Sequence, residues 1–252
     1  MRVTILGSGT SSGVPVIGCS CPVCTSGDPK DQRTRASAAI EHAGRVILID
    51  TATDLRAQAL RAGLSRVDAV LYTHAHADHV HGIDELRAFN LCTLRDIPCY
   101  ADAATLSRLK AAFTYIFDSD EGESLRPFLS LNEATGPFEL LGLTVTPVPM
   151  FHGRLPTLGY RVGDFAYLTD CSRVPDESLR LLSGLKLLVL DALRARPHPT
   201  HLSIGEALEL IARLAPERAA LTHLSHQVSH REGNKGLPMG VELAYDGLVF
   251  EL

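Results

Sequence analysis

Leu71-Tyr72-Thr73-His74-Ala75-His76-Ala77-Asp78-His79 places three imidazoles and a carboxylate within six residues. That density points to metal binding. The apolar run Ala69 to Tyr72 reads as a short buried strand, so the polar cluster begins where the chain leaves a sheet. His74 and His76 alternate and point the same way in extended backbone, while Asp78 and His79 turn back from the far side of a tight loop. Two adjacent metal sites can share such a loop. The competing reading is a polar surface loop that happens to be rich in histidine. A helical pattern follows from Ile83 to Cys92.

Outward from this loop, the 252 residues with 45% hydrophobic and 6% aromatic content suit one sizeable globular domain or two small ones. No apolar run approaches the roughly 20 residues that cross a bilayer, and Met1 to Gly7 breaks too early for a signal peptide. The expectation is a cytoplasmic protein that engages no membrane. A formal charge of -5 provides no basic footprint for long nucleic acid, although bound divalent ions would make the site itself locally positive. A small anionic substrate fits better than a nucleic-acid partner.

A second metal signal lies upstream, in Gly18-Cys19-Ser20-Cys21-Pro22-Val23-Cys24. Cys-x-Cys-x-x-Cys in a Gly/Pro loop can wrap three thiolates around one tetrahedral zinc, with a fourth ligand from elsewhere. The alternative is a redox or merely buried cysteine loop. Cys92, Cys99 and Cys171 are scattered and read as small buried apolar residues.

The rest of the chain alternates strands and helices. Val3 to Leu6 reads as a strand, and the loop Gly7 to Gly13 lacks both the dinucleotide spacing and the P-loop lysine. Ala38 to His42 and Arg45 to Asp50 read as a hairpin, followed by a helix from Thr53 to Ala62 stopped at Gly63. Asp50, at a strand end, either orients metal-bound imidazoles or caps that helix. Pro98 to Ala101 reads as a strand and Asp102 to Phe117 as one long helix. The acidic stretch 118–123 is a solvated connection or, within 113–126, a lid.

Strands Leu143 to Val148, Leu158 to Val162 and Phe165 to Thr169 come next, with His152 past the first and Asp170 directly after the last. Alone, such residues are usually structural. With the histidine loop upstream they become candidates, because two metals need further ligands and a bridging carboxylate. Leu187 to Leu190 ends at Asp191, and Ser203-Ile204-Gly205-Glu206 fits a capping box opening a helix through Leu214. His201, just before that cap, is either loop polarity or a titratable group placed for proton transfer. Arg218 to Thr222 exits into Thr222-His223-Leu224-Ser225-His226, which offers the missing imidazoles. Val241 to Ala244 and Leu248 to Glu251 read as a closing hairpin around Asp246-Gly247. With no linker, the expectation is one domain over residues 1–252: two sheets face to face, helices outside, and a metal cleft along one edge.

Asp50, His74-x-His76-x-Asp78-His79, His152, Asp170 and His223, in this order, resemble the metallo-β-lactamase superfamily over almost the whole chain. The resemblance implies an α/β fold, the αβ/βα four-layer sandwich of two mixed sheets with outer helices. It implies one divalent ion on His74, His76 and His152, another on Asp78, His79 and His223, and Asp170 bridging them, with zinc or manganese loaded. Within the superfamily the chain resembles the PhnP-type phosphoribosyl 1,2-cyclic phosphate phosphodiesterases associated with the carbon-phosphorus lyase pathway. The cysteine loop 18–25, the tail Leu221 to Gln227 and His201 carry that likeness. They imply a structural zinc on Cys19, Cys21, Cys24 and His226, His201 as acid/base, and a small, cyclic-ribose type of phosphodiester as substrate. His198-Pro199-Thr200-His201 and the segment from Phe113 to Arg126 match the family only loosely, which bears on substrate choice.

The implied chemistry is hydrolytic. Two ions lower the pKa of a shared water from 15.7 to about 7, the resulting bridging hydroxide attacks phosphorus, and His201 protonates the departing oxygen. Asp78 is the other proton carrier in reach, at the loss of a metal ligand. Two other readings compete. One is an RNA-processing nuclease of the tRNase Z kind, for which the chain lacks a long basic insertion. The other is a metal-binding accessory protein without turnover, like the pyrroloquinoline quinone synthesis protein with its similar cysteine loop, which leaves His74, His76 and His79 unexplained. A homodimer is compatible with the sequence.

Overall fold

A computed structural model describes residues 1–118 and 126–252. Among these residues fourteen strands form two seven-stranded sheets. The first half supplies β1 (Arg2–Gly7), β2 (Ser37–His42), β3 (Arg45–Ile49), β4 (Ala69–Leu71), β5 (Ile97–Ala101) and β6 (Leu129–Glu133). The second supplies β7 (Phe138–Leu140), β8 (Leu143–His152), β9 (Leu155–Val162), β10 (Phe165–Leu168), β11 (Leu187–Asp191), β12 (Arg218–Thr222) and β13 (Val241–Leu243), and β14 (Val249–Glu251) returns to the first sheet. The orders are β14-β1-β2-β3-β4-β5-β6 and β13-β12-β11-β10-β9-β8-β7. Both are mixed: β3 to β6 run parallel, as do β10 to β13, and the remaining neighbours are antiparallel.

Side-chain alternation builds the four layers. In β3, Ile47 and Ile49 face the second sheet while Leu48 and Val46 face helices; in β11, Leu187 and Val189 face inward while Leu188 and Leu190 face out. The central layer joins Val3, Ile5, Ile49, Leu71, Tyr160, Val162 and Phe250, all at most 1% exposed. Outside the first sheet lie α1 (Leu55–Ala62), α2 (Ala77–Val80), α3 (Leu86–Thr93), α4 (Ala103–Ala112) and α5 (Thr114–Phe117). Outside the second lie α6 (Asp176–Leu179) and α7 (Ile204–Leu214), and α8 (His230–Asn234) contacts β13. This is the four-layer α/β sandwich expected from the sequence. No helix of the described residues is long and apolar enough to cross a membrane.

Several local expectations change. The helix drawn from Asp102 to Phe117 is two helices, broken at Phe113, whose φ of -123° and ψ of 51° are not helical. The helix expected at Ile83 starts as a 3-10 turn over Ile83–Glu85 before α3. β8 runs on to His152, pairing it with Leu155, so His152 ends the strand instead of following it. The closing hairpin does not form: β13 pairs with β12 and β14 with β1, in different sheets. Asp246 directs that crossing, for its carboxylate accepts from Ser8 N and Oγ at 2.9 Å and from Thr34 N at 2.9 Å. Cys99 and Cys171 are buried, but Cys92 is exposed on α3. The short strands β6 and β7 have no counterpart in the sequence reading. The acidic stretch and its lid role fall largely on 119–125, outside the described residues.

Candidate metal centre

One edge of the sandwich gathers the functional side chains, because β3, β4, β8, β10, β11 and β12 all end there. Asp50 follows β3, His74 follows β4, His152 and Asp191 close β8 and β11, Asp170 follows β10, and His223 follows β12. Three of these sit in the left-handed backbone region, Asp50 at φ 62°, Asp170 at φ 50° and His223 at φ 59°. Non-glycine residues rarely adopt it. Here the turn it makes lets the chain leave the sheet at once while its side chain stays on the cleft.

Asp170 is the centre. Its Oδ1 lies 3.1 Å from His79 Nε2 and 3.0 Å from His223 Nε2, and its Oδ2 lies 3.6 Å from His74 Nε2 and 3.8 Å from His152 Nε2. Asp78 Oδ2 joins the first set, 3.3 Å from His79 Nε2 and 3.8 Å from His223 Nε2. His76 joins the second, its ring 4.5 Å from that of His74 and 5.2 Å from that of His152. The structure thus brings together all seven residues expected at the dinuclear site. At this centre, potential ligand atoms within 4.8 Å of one another form the groups Asp78, His79, Asp170, His223; His74, His76, Asp170; and Asp170, Asp191, His201, His223.

Hydrogen bonds at the far nitrogens aim the rings. Asp50 Oδ2 accepts from His79 Nδ1 at 2.7 Å and from Thr73 Oγ1 at 2.8 Å, while Asp50 Oδ1 accepts from Thr73 N at 2.8 Å. Since the Thr73 hydroxyl donates to Asp50, its oxygen accepts from His74 Nδ1 at 3.0 Å. His152 Nδ1 donates to Thr200 O at 2.7 Å. Each proton therefore sits on Nδ1, and each Nε2 turns a lone pair into the cleft. His74 Nε2, His79 Nε2 and His223 Nε2 are buried without a hydrogen-bond partner. Bare, buried nitrogens facing two carboxylates suit divalent cations, so the residues fit the ions. Asp50 orients imidazoles; it does not cap the helix, where Asp54 stands at the N-cap.

Electrostatics agree with a centre built for positive charge. Burial pushes the Asp170 carboxyl up, but the His223 and His79 imidazoles outweigh it and hold the group well below the usual carboxylate range. Burial likewise pushes His223 down, yet Asp170 and Asp78 raise it to about 10. His79 is held well above its ordinary value against burial by Asp170 and Asp50. His74, with less carboxylate company, goes the other way, because burial and the neighbouring His79 push it well below. The carboxylates demand cations, and protons or metal ions can supply them.

His201 lies beside this centre. Its ring stacks on His223 with centroids 4.7 Å apart and meets His152 edge-on at 4.6 Å. His201 Nδ1 donates to Asp191 Oδ1 at 3.2 Å, so Nε2 is the atom free to act. In the sequence Asp191 marks only the end of a strand. In the structure this fully buried carboxylate also accepts from Asp170 N at 3.1 Å and Leu202 N at 3.0 Å, joining Asp170 to the acid/base candidate. Only its position at the C-terminal end of a buried parallel strand hinted at this.

The cysteine loop closes on the tail. Sγ atoms of Cys19, Cys21 and Cys24 lie 3.3, 3.4 and 3.6 Å from His226 Nδ1. The Cys24 backbone N–H outweighs burial and, with His226, lowers the Cys21 thiol to about 6, whereas burial raises Cys24. Three sulfurs around one imidazole nitrogen form a donor set suited to tetrahedral zinc. A buried ion pair lies alongside: Arg33 reaches Asp31 at 3.1 Å and donates to Ser225 O at 3.2 Å, next to His226.

Comparison with known proteins agrees with this architecture. The family profile of the beta-lactamase superfamily domain matches residues 45–224. A crystal structure of a new diphosphatase from the PhnP family superposes with a TM-score of 0.93 at 43% identity, covering 100% of this chain and 97% of the other. Coenzyme PQQ synthesis protein B of Methylobacterium radiotolerans is 30% identical over 76% of this chain and 72% of its own length. An octanoyltransferase of Porphyromonas gingivalis is 42% identical over 98% of this chain, which spans about half, 51%, of that relative's length. A profile match across most of the chain, with these relatives and this fold, places the protein in the metallo-β-lactamase superfamily, close to the PhnP family.

Proposed function

We propose that the protein is a dinuclear metal-dependent phosphodiesterase acting on a small phosphodiester, with cyclic ribose phosphates and diphosphate links as the substrate types to try first. The division of donors between the two oxygens of Asp170, with His201 beside them, carries the reading. His74, His76 and His152 would hold one ion, Asp78, His79 and His223 the other, and Asp170 both. Bound zinc or manganese supplies water acidified to about neutral pKa and neutralises phosphoryl charge. Cys19, Cys21, Cys24 and His226 would hold a third, structural zinc.

The chain's own residues do the rest. Asp50, Thr73 and the Thr200 carbonyl keep three imidazoles turned to the cleft. Asp191 holds the Nδ1–H of His201, and the doubly protonated ring, its charge balanced by that carboxylate, gives its Nε2 proton to the departing oxygen. Burial raises the Asp78 carboxyl, but His223 and His79 hold it far below the usual range, so Asp78 serves as a ligand and His201 as the proton carrier. A 43% identical diphosphatase favours cleavage at phosphorus over β-lactam or thioester hydrolysis. The charge of -5 weighs against a long polyanion such as tRNA.

The test is a side-by-side assay of metal-reconstituted protein on bis-p-nitrophenyl phosphate, a ribose cyclic phosphate, a nucleoside diphosphate sugar, a β-lactam and a glutathione thioester. Turnover of the phosphorus substrates alone is the expected result. Preference for the lactam or thioester, or no turnover with the metals bound, overturns the proposal.

A further inference from the structure

The loop from β11 to α7 carries Arg194, Arg196 and His198 on the way to His201. It is firmly seated. Arg194 Nε and Nη2 donate to Arg196 O and Pro197 O, each at 3.3 Å, and Leu193 N donates to Leu202 O at 2.9 Å. The loop also packs on Gly153, where an added Cβ would stand 2.9 Å from Thr200 Cγ2. His198 Nδ1 receives Thr200 N at 3.4 Å and lies 3.1 Å from Thr200 Oγ1. A backbone N–H can only donate, so His198 Nδ1 is the acceptor and the neutral ring carries its proton on Nε2. Its ring centroid lies 5.2 Å from that of His201.

Whatever leaves with the oxygen protonated by His201 must extend past that ring. The next ring beyond His201 is that of His198, with its N–H at Nε2, and the Arg194 guanidinium is near enough to act on that ring electrostatically. We propose that His198 is a specificity residue whose Nε2–H binds an anionic group on the leaving side of the substrate, so that the site selects phosphate esters and anhydrides bearing a second phosphate there. Arg194 adds a positive charge that its two carbonyl partners hold in place. A neutral ring that donates without having to lose or gain a proton binds such an anion across the neutral pH range. The inference takes the leaving side from the phosphodiesterase reading, but its test does not depend on turnover.

Calorimetry with metal-loaded protein compares pyrophosphate, which offers the second phosphate, with orthophosphate, which does not. The wild type should bind pyrophosphate at least about tenfold more tightly, the effect of one hydrogen bond to a charged group. His198→Ala should remove most of that preference and leave orthophosphate affinity unchanged, and His198→Gln, which keeps an N–H donor, should recover part of it. An undiminished preference in His198→Ala overturns the inference, and so does an equal loss for both ligands, the mark of a merely structural loop. In kinetics, His198→Ala should raise KM for a nucleoside diphosphate sugar and spare bis-p-nitrophenyl phosphate. If the wild type turns over neither ester but its pyrophosphate preference still depends on His198, the proposed function fails and this inference stands.

Discussion

An imidazole holds a metal only through a bare nitrogen, and the partners of the opposite nitrogens decide which one is bare: Asp50 for His79, Thr73 for His74, Thr200 O for His152 and Asp191 for His201. Because His201 sits outside the ligand set, His201→Ala should slow turnover by about 10²–10⁴-fold with metal content unchanged, as read by steady-state kinetics and elemental analysis. Turnover equal to wild type would remove it from the mechanism. Acid-base behaviour without metal gives a second expectation. The folded pKa of His223 is raised from 6.5 to about 10, so its stabilising contribution is complete below 6.5 and is lost as pH rises through about 10. Asp170 is shifted down, so its contribution is present above the ordinary carboxylate range and is lost as pH falls below it. Chelator-treated protein should therefore melt at falling temperature as pH rises above 6.5 and again in acid, while ion-loaded protein keeps its alkaline limb flat. Melting curves across pH, with and without chelator, check this, and a flat alkaline limb in the chelated sample contradicts it. The candidate ligands were legible because His74 to His79 crowd into one loop and the others follow strand ends. Asp191 was not, since its partners at residues 170 and 201 meet it only once the sheet forms.

Among the elements, α7 is the one whose start matters most to the cleft, because His201 lies two residues before its cap. The Ser203 side chain receives Glu206 N at 3.3 Å and Glu206 Oε2 receives Ser203 N at 2.8 Å, the reciprocal bonds anticipated from Ser-x-x-Glu. Ser203→Ala should lower stability by about 1 kcal/mol, measured as a shifted urea midpoint at constant slope. A loss below a few tenths would mean that the cap is dispensable. Local signals of this kind read correctly, as did Gly63 at the end of α1, in the left-handed conformation at φ 65°. Where partner choice is non-local, reading failed. Asp246-Gly247 has the chemistry of a hairpin turn, and nothing local reveals that the flanking strands belong to different sheets. The periodicity from Asp102 to Phe117 is continuous in sequence, yet Phe113 interrupts it in the fold.

At the scale of the molecule, the cysteine loop fastens the start of the chain to the exit of β12, with Cys19 and His226 207 positions apart in sequence. His226 stands three residues beyond His223, so a zinc there would brace a catalytic ligand from behind. Cys21→Ala should lose one zinc per chain and several kcal/mol of stability, with the catalytic ions retained. Metal analysis finding only two ions in the wild type would show that this third site is empty. The layered core was legible from alternating strands and amphipathic helices, but the fastening of loop to tail depended on the family likeness. Asp50, Asp170 and His223 all occupy a backbone conformation that an L-residue enters at about 1–2 kcal/mol and glycine enters freely. Selection for thermal hardiness alone would drift these three positions toward glycine or asparagine, so a hardened variant of this scaffold can be expected to lose the proposed metal centre first.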